Sequence, residues 1–246
     1  MPESFEIVPF LHPIYDTDER LRGYETLMRI EYGDKIISPY EILNRYFSSY
    51  DKIIREMHEK IFKNILVPAY KNNKDFFFSI NVSLKLDWEN REIKNNLIRL
   101  FSDYSYLLRN VVIEIVEDHC QDGFNYLNDE KEIAYIEEIN YFKKKYGFKI
   151  AIDDFGSGYS NFKRFFLLDT DIVKIDGFLI NNYSHEQIKK VLSKLKNMFK
   201  DKKIVFEYID SDIKKQTLKE YCDYMQGFLF SEPVSFKNIP FLKFPK

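Results

Sequence analysis

The sequence predicts an α/β chain folded as a modified TIM-type (β/α)8 barrel with an antiparallel first strand. Three observations carry this. Short apolar runs alternate with helix-like runs from end to end, and strands separated by helices pair in parallel. Eight such strand-like runs in 246 residues match the unit count and size of a barrel of this kind. Between the first two runs lie only Asp16, Thr17, Asp18, Glu19, Arg20 and a few neighbours. A parallel crossover needs a dozen or more residues, usually helical, so these two strands form a hairpin and the first is reversed.

The eight strands are expected at Phe5–Leu11, Tyr24–Ile30, Phe76–Val82, Val111–Val116, Phe148–Asp153, Asp171–Ile175, Lys203–Glu207 and Tyr224–Phe230. Each is short, apolar and bounded by polar or turn residues. Helices fill most of the gaps. Ser38-Pro39-Tyr40-Glu41 offers an N-cap, a proline at the first helical position and a capping-box Glu. Ser184-His185-Glu186-Gln187 repeats the box before Ile188–Phe199. A third helix over Asp129–Tyr146 places Ile133, Ile136, Ile139 and Phe142 on one apolar face and ends at Gly147.

Composition narrows the class. Thirty-seven basic and 39 acidic residues give a net charge of −2, so nothing draws the chain in bulk to a nucleic acid polymer or an anionic membrane. Cys120 and Cys222 make neither a disulfide framework nor a metal knuckle. Glycine contributes 8 of 246 residues, about half the usual ~7%, and there is no glycine-rich phosphate loop. The 23 Phe and 18 Tyr read as a Phe-rich core. No apolar run approaches the ~18 residues of a membrane segment. Met1-Pro2-Glu3-Ser4 lacks the basic and apolar pattern of a signal peptide. The expectation is a single cytoplasmic domain over residues 1–246.

The chemistry stands at the strand ends. The second strand carries Glu25; Phe76–Ile80 runs into Asn81; Glu114 and Glu117 flank the end of the fourth run. Asp153-Asp154 follows Ile152, Lys174 lies between Val173 and Ile175, and Glu207, then Asp210, follow Phe206. In such a barrel the C-terminal strand ends converge on one mouth. Any one acidic residue there reads as a helix cap. Several together repel one another unless cations neutralise them, so the set points to a metal site. The donors are oxygens, with His119 and Cys120 just past their strand, which suits Mg²⁺ or Mn²⁺. Adjacent Asp153 and Asp154 suggest two ions, one carboxylate bridging, an arrangement suited to in-line phosphoryl displacement. A one-metal isomerase or aldolase would also present an acidic mouth.

These motifs resemble those of a known family, the EAL-domain phosphodiesterases that hydrolyse cyclic di-GMP. Gly23-Tyr24-Glu25-Thr26-Leu27-Met28-Arg29 is similar to the family's signature, with Thr26 in place of Ala. Asn81-Val82-Ser83, Glu114-Ile115-Val116-Glu117, Ile152-Asp153-Asp154-Phe155-Gly156-Ser157-Gly158-Tyr159-Ser160, Val173-Lys174-Ile175-Asp176 and Tyr224-Met225-Gln226-Gly227-Phe228 follow in the family's order and spacing. The resemblance spans about Phe5 to Val234 and implies a barrel with a reversed first strand.

By that resemblance, Glu25, Asn81, Glu114 and Asp153 bind one metal, and Asp153 bridges to a second ion held also by Asp154. Lys174 contacts the attacking water, Glu207 is a candidate general base, and Glu117 braces the loop carrying the two aspartates. Arg29 meets a substrate phosphate, where a guanidinium fork suits oxygens, and Gln226 and Asp210 line the substrate pocket. The product is linear pGpG. Four departures concern support: Tyr208 for a Gly, Asp210 for a Glu, Val116 for a Thr, and His12 where Gln is common. The alternative implied is a catalytically weak cyclic di-GMP receptor signalling through a partner; a third reading is an interaction barrel with a vestigial acidic mouth. A homodimer contact could form around Asn161–Leu168 through Phe162, Phe165 and Phe166, residues that could equally pack in the chain's own core.

Overall fold

The computed structural model describes residues 5–38, 50–72, 75–116, 129–156, 161–177 and 185–242. Strands β1 (Phe5–Asp16) and β2 (Leu21–Tyr32) form the hairpin. Asp16 builds its turn: Oδ1 accepts from the amides of Asp18 and Arg20 at 3.0 and 2.9 Å, the usual use of Asp where a chain reverses. The two strands pair antiparallel from Phe5↔Tyr32 to Pro13↔Tyr24, with His12 opposite Glu25. Both outrun their apolar stretches, because pairing on two edges sets their length.

From β2 the ladder turns parallel. It runs through β4 (Phe77–Val82), β5 (Val111–Ile115), β6 (Lys149–Phe155), β7 (Ile172–Ile175), β8 (Lys203–Phe206) and β9 (Tyr224–Met225). Antiparallel pairing of β9 with β1 closes a ring of eight strands. The (β/α)8 barrel with its antiparallel first strand is thus the observed fold. Two short strands were not foreseen. β3 (Lys35–Ile37) extends β2, and β10 (Val234–Ser235) gives β1 another antiparallel partner; neither is long enough to leave a periodic signal. β9 is shorter than the expected Tyr224–Phe230, because the Gln226 carbonyl accepts instead from the amide of Ile209.

Helices pack outside the ring. α1 (Tyr50–Ile61) passes through a π-helical segment, Phe62–Leu66, into α2 (Val67–Lys71). α3 (Arg91–Asp103) is capped by Asn90, whose side chain accepts from the amides of Glu92 and Ile93. α4 (Asp129–Tyr146) has the expected bounds and stops at Gly147, whose φ of +78° is the left-handed C-terminal cap. Ile136, Ile139 and Phe142 are buried, while Ile133 is outside the buried face. α5 (Asn161–Leu167), α6 (His185–Met198) and α7 (Asp212–Leu218) follow among the described residues. The caps expected at Pro39-Tyr40-Glu41 and Ser184 lie outside the described residues. Among the described residues no helix is long and apolar enough to cross a membrane.

Strand alternation sorts the side chains into two cores. Val111, Ile113, Ile115, Ile150, Ile152, Val173, Ile175, Ile204 and Phe206 join the main cluster, which includes the helical Ile136, Ile139, Leu192 and Phe199. Val112, Ala151, Ile172 and Val205 form a separate cluster, with Phe77 and Tyr224 packed on it. These point into the barrel. Two residues further along the same strands stand Glu114, Asp153, Lys174, Glu207 and Gln226. The polar layer therefore rests directly on an apolar floor.

Candidate active site

The inward side chains come from seven different strands or the residues just after them, so the polar layer is assembled by barrel closure. β2 supplies Glu25, β4 Asn81, β5 Glu114, β6 Asp153 and Asp154, and β7 Lys174; Glu207 and Gln226 follow β8 and β9. In a regular strand Asp153 and Asp154 would face opposite sides. Here the β6–β7 register shifts between Ile152 and Phe155, and Asp154 takes φ +48°. This bulge re-aims the second carboxylate. Oxygens of Asp153, Asp154 and Glu207 all lie within 4.8 Å of one another.

Lys174 is the hub. Its Nζ lies 2.5 Å from Glu114 Oε1, 2.9 Å from Asp153 Oδ1, 3.0 Å from Glu207 Oε1 and 3.7 Å from Glu25 Oε2. Only 2% of the residue is exposed. Burial opposes its charge, but Asp153, Glu114, Glu207 and Glu25 outweigh that and hold its pKa well above the ordinary value. Burial pushes Glu114 and Glu207 well above the usual carboxylate range, against the pull of Lys174. Glu25 goes the other way. Burial works against its charge too, yet Lys174, the Gln226 amide, His12 and Asn81 keep its pKa below the usual value. Gln226 Nε2 donates to Glu25 Oε2 at 2.7 Å, and Asn81 Nδ2 to Glu25 Oε1 at 3.4 Å.

The donor set fits a hard divalent cation. Four carboxylates share one ammonium, and Asp154 stands beside them. Asn81 Oδ1, Glu207 Oε2 and Gln226 Oε1 are buried oxygens without a hydrogen-bond partner among the described residues. Buried acceptors left unpaired are costly, and a cation with several oxygen ligands would satisfy them.

The remaining expected residues are placed as follows. Arg29 shares the inward face of β2 with Glu25, is half-buried, and donates from Nη1 to the Met28 carbonyl at 2.8 Å. Burial lowers its pKa, and Glu25 opposes that shift. Asp210 is not brought into the cluster. It is exposed and pairs with Lys214 Nζ at 2.6 Å, one helical turn on, because the chain turns outward at Tyr208, whose φ is +56°. Tyr208 itself is 61% exposed and does not fill the mouth. Glu117 lies outside the described residues, as do Ser157-Gly158-Tyr159-Ser160. Phe165 packs on Phe199 with ring centroids 4.8 Å apart, whereas Phe162 and Phe166 are exposed.

His12 is a site residue that strand-end reasoning did not assign a role. Its Nε2 is buried and unpartnered, and its backbone faces Glu25. The hairpin was a partial signal: counting equally from the Asp16–Arg20 turn places 12 opposite 24, and the register shift between Ile14 and Tyr15 moves it opposite 25.

Comparison with known proteins bears on family and fold. The family described as "EAL domain" matches residues 2–233. The "Probable cyclic di-GMP phosphodiesterase PdeA" of Escherichia coli (strain K12) is 30% identical over 220 residues, covering 86% of this chain and 28% of that protein. The chain thus spans under a third of that relative's length. Among solved structures, "Structure of EAL Enzyme Bd1971 - cAMP and cyclic-di-GMP bound form" superposes with a TM-score of 0.74 at 24% identity, over 96% of this chain and 64% of that one. The Bacillus subtilis YkuI protein, in complex with cyclic di-GMP and calcium, gives 0.70 at 22% identity, over 98% and 56%. At these identities the two structures speak for the fold.

Proposed function

This chain belongs to the EAL-domain family, and from that premise we propose that it hydrolyses cyclic di-GMP to linear pGpG with two divalent ions, Mg²⁺ or Mn²⁺. The observation that carries the reading is the half-buried all-oxygen cluster of Asp153, Asp154 and Glu207, with the unpaired acceptors around it. The E. coli relative's name supports the substrate.

Glu25, Asn81, Glu114 and Asp153 would hold one ion, and Asp153 with Asp154 the other. When bound, such a pair polarises the phosphoryl group and makes water a competent nucleophile near neutral pH. The protein's own groups do the rest. Glu207 lies beside Asp153 and Asp154 and 3.0 Å from Lys174, and burial raises its proton affinity above that of an ordinary carboxylate, the direction a general base needs. Lys174, buried and charged, holds water by hydrogen bonding and offsets negative charge developing on the phosphoryl oxygens. Gln226 orients Glu25 through its 2.7 Å hydrogen bond. Arg29, further along β2, meets a substrate phosphate, and Glu117 braces the aspartate loop. Two copies would associate through Phe162 and Phe166, which stand exposed on the helix after that loop.

The test is turnover by the purified chain with Mg²⁺, Mn²⁺, Ca²⁺ or EDTA, the products separated by chromatography. The expected result is pGpG with Mg²⁺ or Mn²⁺ and none with EDTA. The longer Ca²⁺–oxygen distances, ~2.3–2.6 Å against ~2.0–2.1 Å for Mg²⁺, should support binding without turnover. Binding of cyclic di-GMP with no product under any metal would replace the hydrolase with the receptor reading.

A further inference from the structure

Position 208 breaks a local rule at the barrel mouth. Tyr208 adopts φ +56°, a left-handed conformation that glycine takes freely and bulky residues avoid. Nothing in β8 forces a large side chain there. The ring is nonetheless pinned. A β-carbon on Gly177 would come within 2.7 Å of Tyr208 Cδ2 and 2.8 Å of its Cβ and Cγ, so the root of the Tyr208 side chain is seated on the bare backbone of Gly177. The loop is tied on its other side too. Ile209 donates to the Gln226 carbonyl at 3.1 Å, and Leu229 to the Ile209 carbonyl at 2.9 Å.

The rest of the side chain is open: Tyr208 is 61% exposed. It stands beside the acidic cluster, where burial and the charges of Asp154, Glu207, Asp176 and Asp153 push its pKa up to about 12. Near neutral pH the phenol is therefore protonated. The same carboxylates disfavour an anionic group over the ring, and a neutral, flat group suffers no such repulsion. Strain is kept at a non-glycine residue beside a functional cluster, with the root of the side chain seated on Gly177 and most of the side chain open.

We infer that Tyr208 is a stacking platform for one guanine base of the dinucleotide, a positioning residue that sets substrate affinity. The inference rests on the hydrolase reading above and adds a base contact to it. Base–aromatic stacking draws on the open π-face and needs no charge. A rigid ring loses little freedom on binding, which is what the seat on Gly177 secures.

The experiment is titration of cyclic di-GMP into the purified chain in EDTA, with KM and kcat measured in Mg²⁺. Tyr208→Phe keeps the ring and should bind within about twofold of the parent. Tyr208→Leu keeps the β-carbon and the apolar bulk but loses the π-face. Its Kd and KM should rise roughly 5- to 100-fold with kcat little changed. Tyr208→Gly should bind as weakly as the Leu variant yet melt higher than the parent, since the backbone strain is gone. A Leu variant that binds like the parent overturns the platform and leaves the hydrolase standing. So does a Phe variant as weak as Leu, which would assign the contact to the hydroxyl. A parent that neither binds nor hydrolyses cyclic di-GMP overturns both readings.

Discussion

Lys174 Nζ lies 2.9 Å from Asp153 Oδ1 at the centre of the barrel mouth. The residue read as a metal bridge thus also lies within ion-pair distance of an ammonium. The same ammonium also meets Glu114, Glu207 and Glu25. Lys174 offsets the negative charge of these carboxylates, and this gives it a structural part beside the part in hydrolysis proposed for it.

Lys174→Ala should therefore do two things. In EDTA it leaves the buried Glu25 and Glu114 and the half-buried Asp153 and Glu207 without this counter-ion, a loss on the order of 3–5 kcal/mol when one member of a buried ion network is removed. Added Mg²⁺ should recover most of that stability, so the variant gains more from metal than the parent does. In Mg²⁺, kcat should fall with KM little changed. Thermal melts with and without metal, beside steady-state rates, check this. A variant that melts like the parent in EDTA would show that the lysine carries no such structural load.

Asp153→Asn should reduce kcat by on the order of 10³ or more, because an amide cannot bridge two cations. The fold should survive. One negative charge fewer in a crowded acidic site leaves the melting temperature in EDTA unchanged or higher, while the gain from Mg²⁺ shrinks. A much lower melt in EDTA would instead make Asp153 a structural partner of Lys174 alone.

Asp210→Glu should change kcat by less than about twofold. The side chain is exposed and paired with Lys214, and surface ion pairs are worth about 0–1 kcal/mol. A marked rise in rate would show that the loop closes over the pocket in the working enzyme.

His58 sets a pH dependence far from the mouth. It is 2% exposed in α1, and its Nδ1 has no hydrogen-bond partner among the described residues. Burial pushes its pKa down to about 4. Protonation thus favours the unfolded chain, where the imidazole titrates near ~6.5. The associated stability is full above that value and is lost as pH falls toward 4, at up to about 1.4 kcal/mol per pH unit and roughly 3 kcal/mol in all. Urea melts of the parent and His58→Leu at pH 7 and pH 5 measure it. The variant should lose less stability on acidification; equal losses would mean that acid unfolding comes from the mouth carboxylates alone.

The sequence by itself determined the barrel, the reversed first strand and the residue types at the mouth. These are local properties. Period-two apolar runs mark strands, a connection too short for a crossover forces the hairpin, and a polar residue at a strand's C-terminal end is visible in the string. α4 was legible to the residue because its apolar spacing and its glycine stop agree. The tertiary structure decided the rest. Only a bulge at Asp154, formed against β7, turns two neighbouring carboxylates into one site. Only burial, set by residues far apart in sequence, makes Glu114 and Glu207 hold protons more tightly than Glu25. The left-handed turn at Tyr208 sends Asp210 to solvent and Lys214, and lays the ring against Gly177, thirty-one residues earlier. Spacing along a chain carries periodicity, but proton affinity and ligand geometry depend on which groups the closed ring brings within a few ångströms of one another.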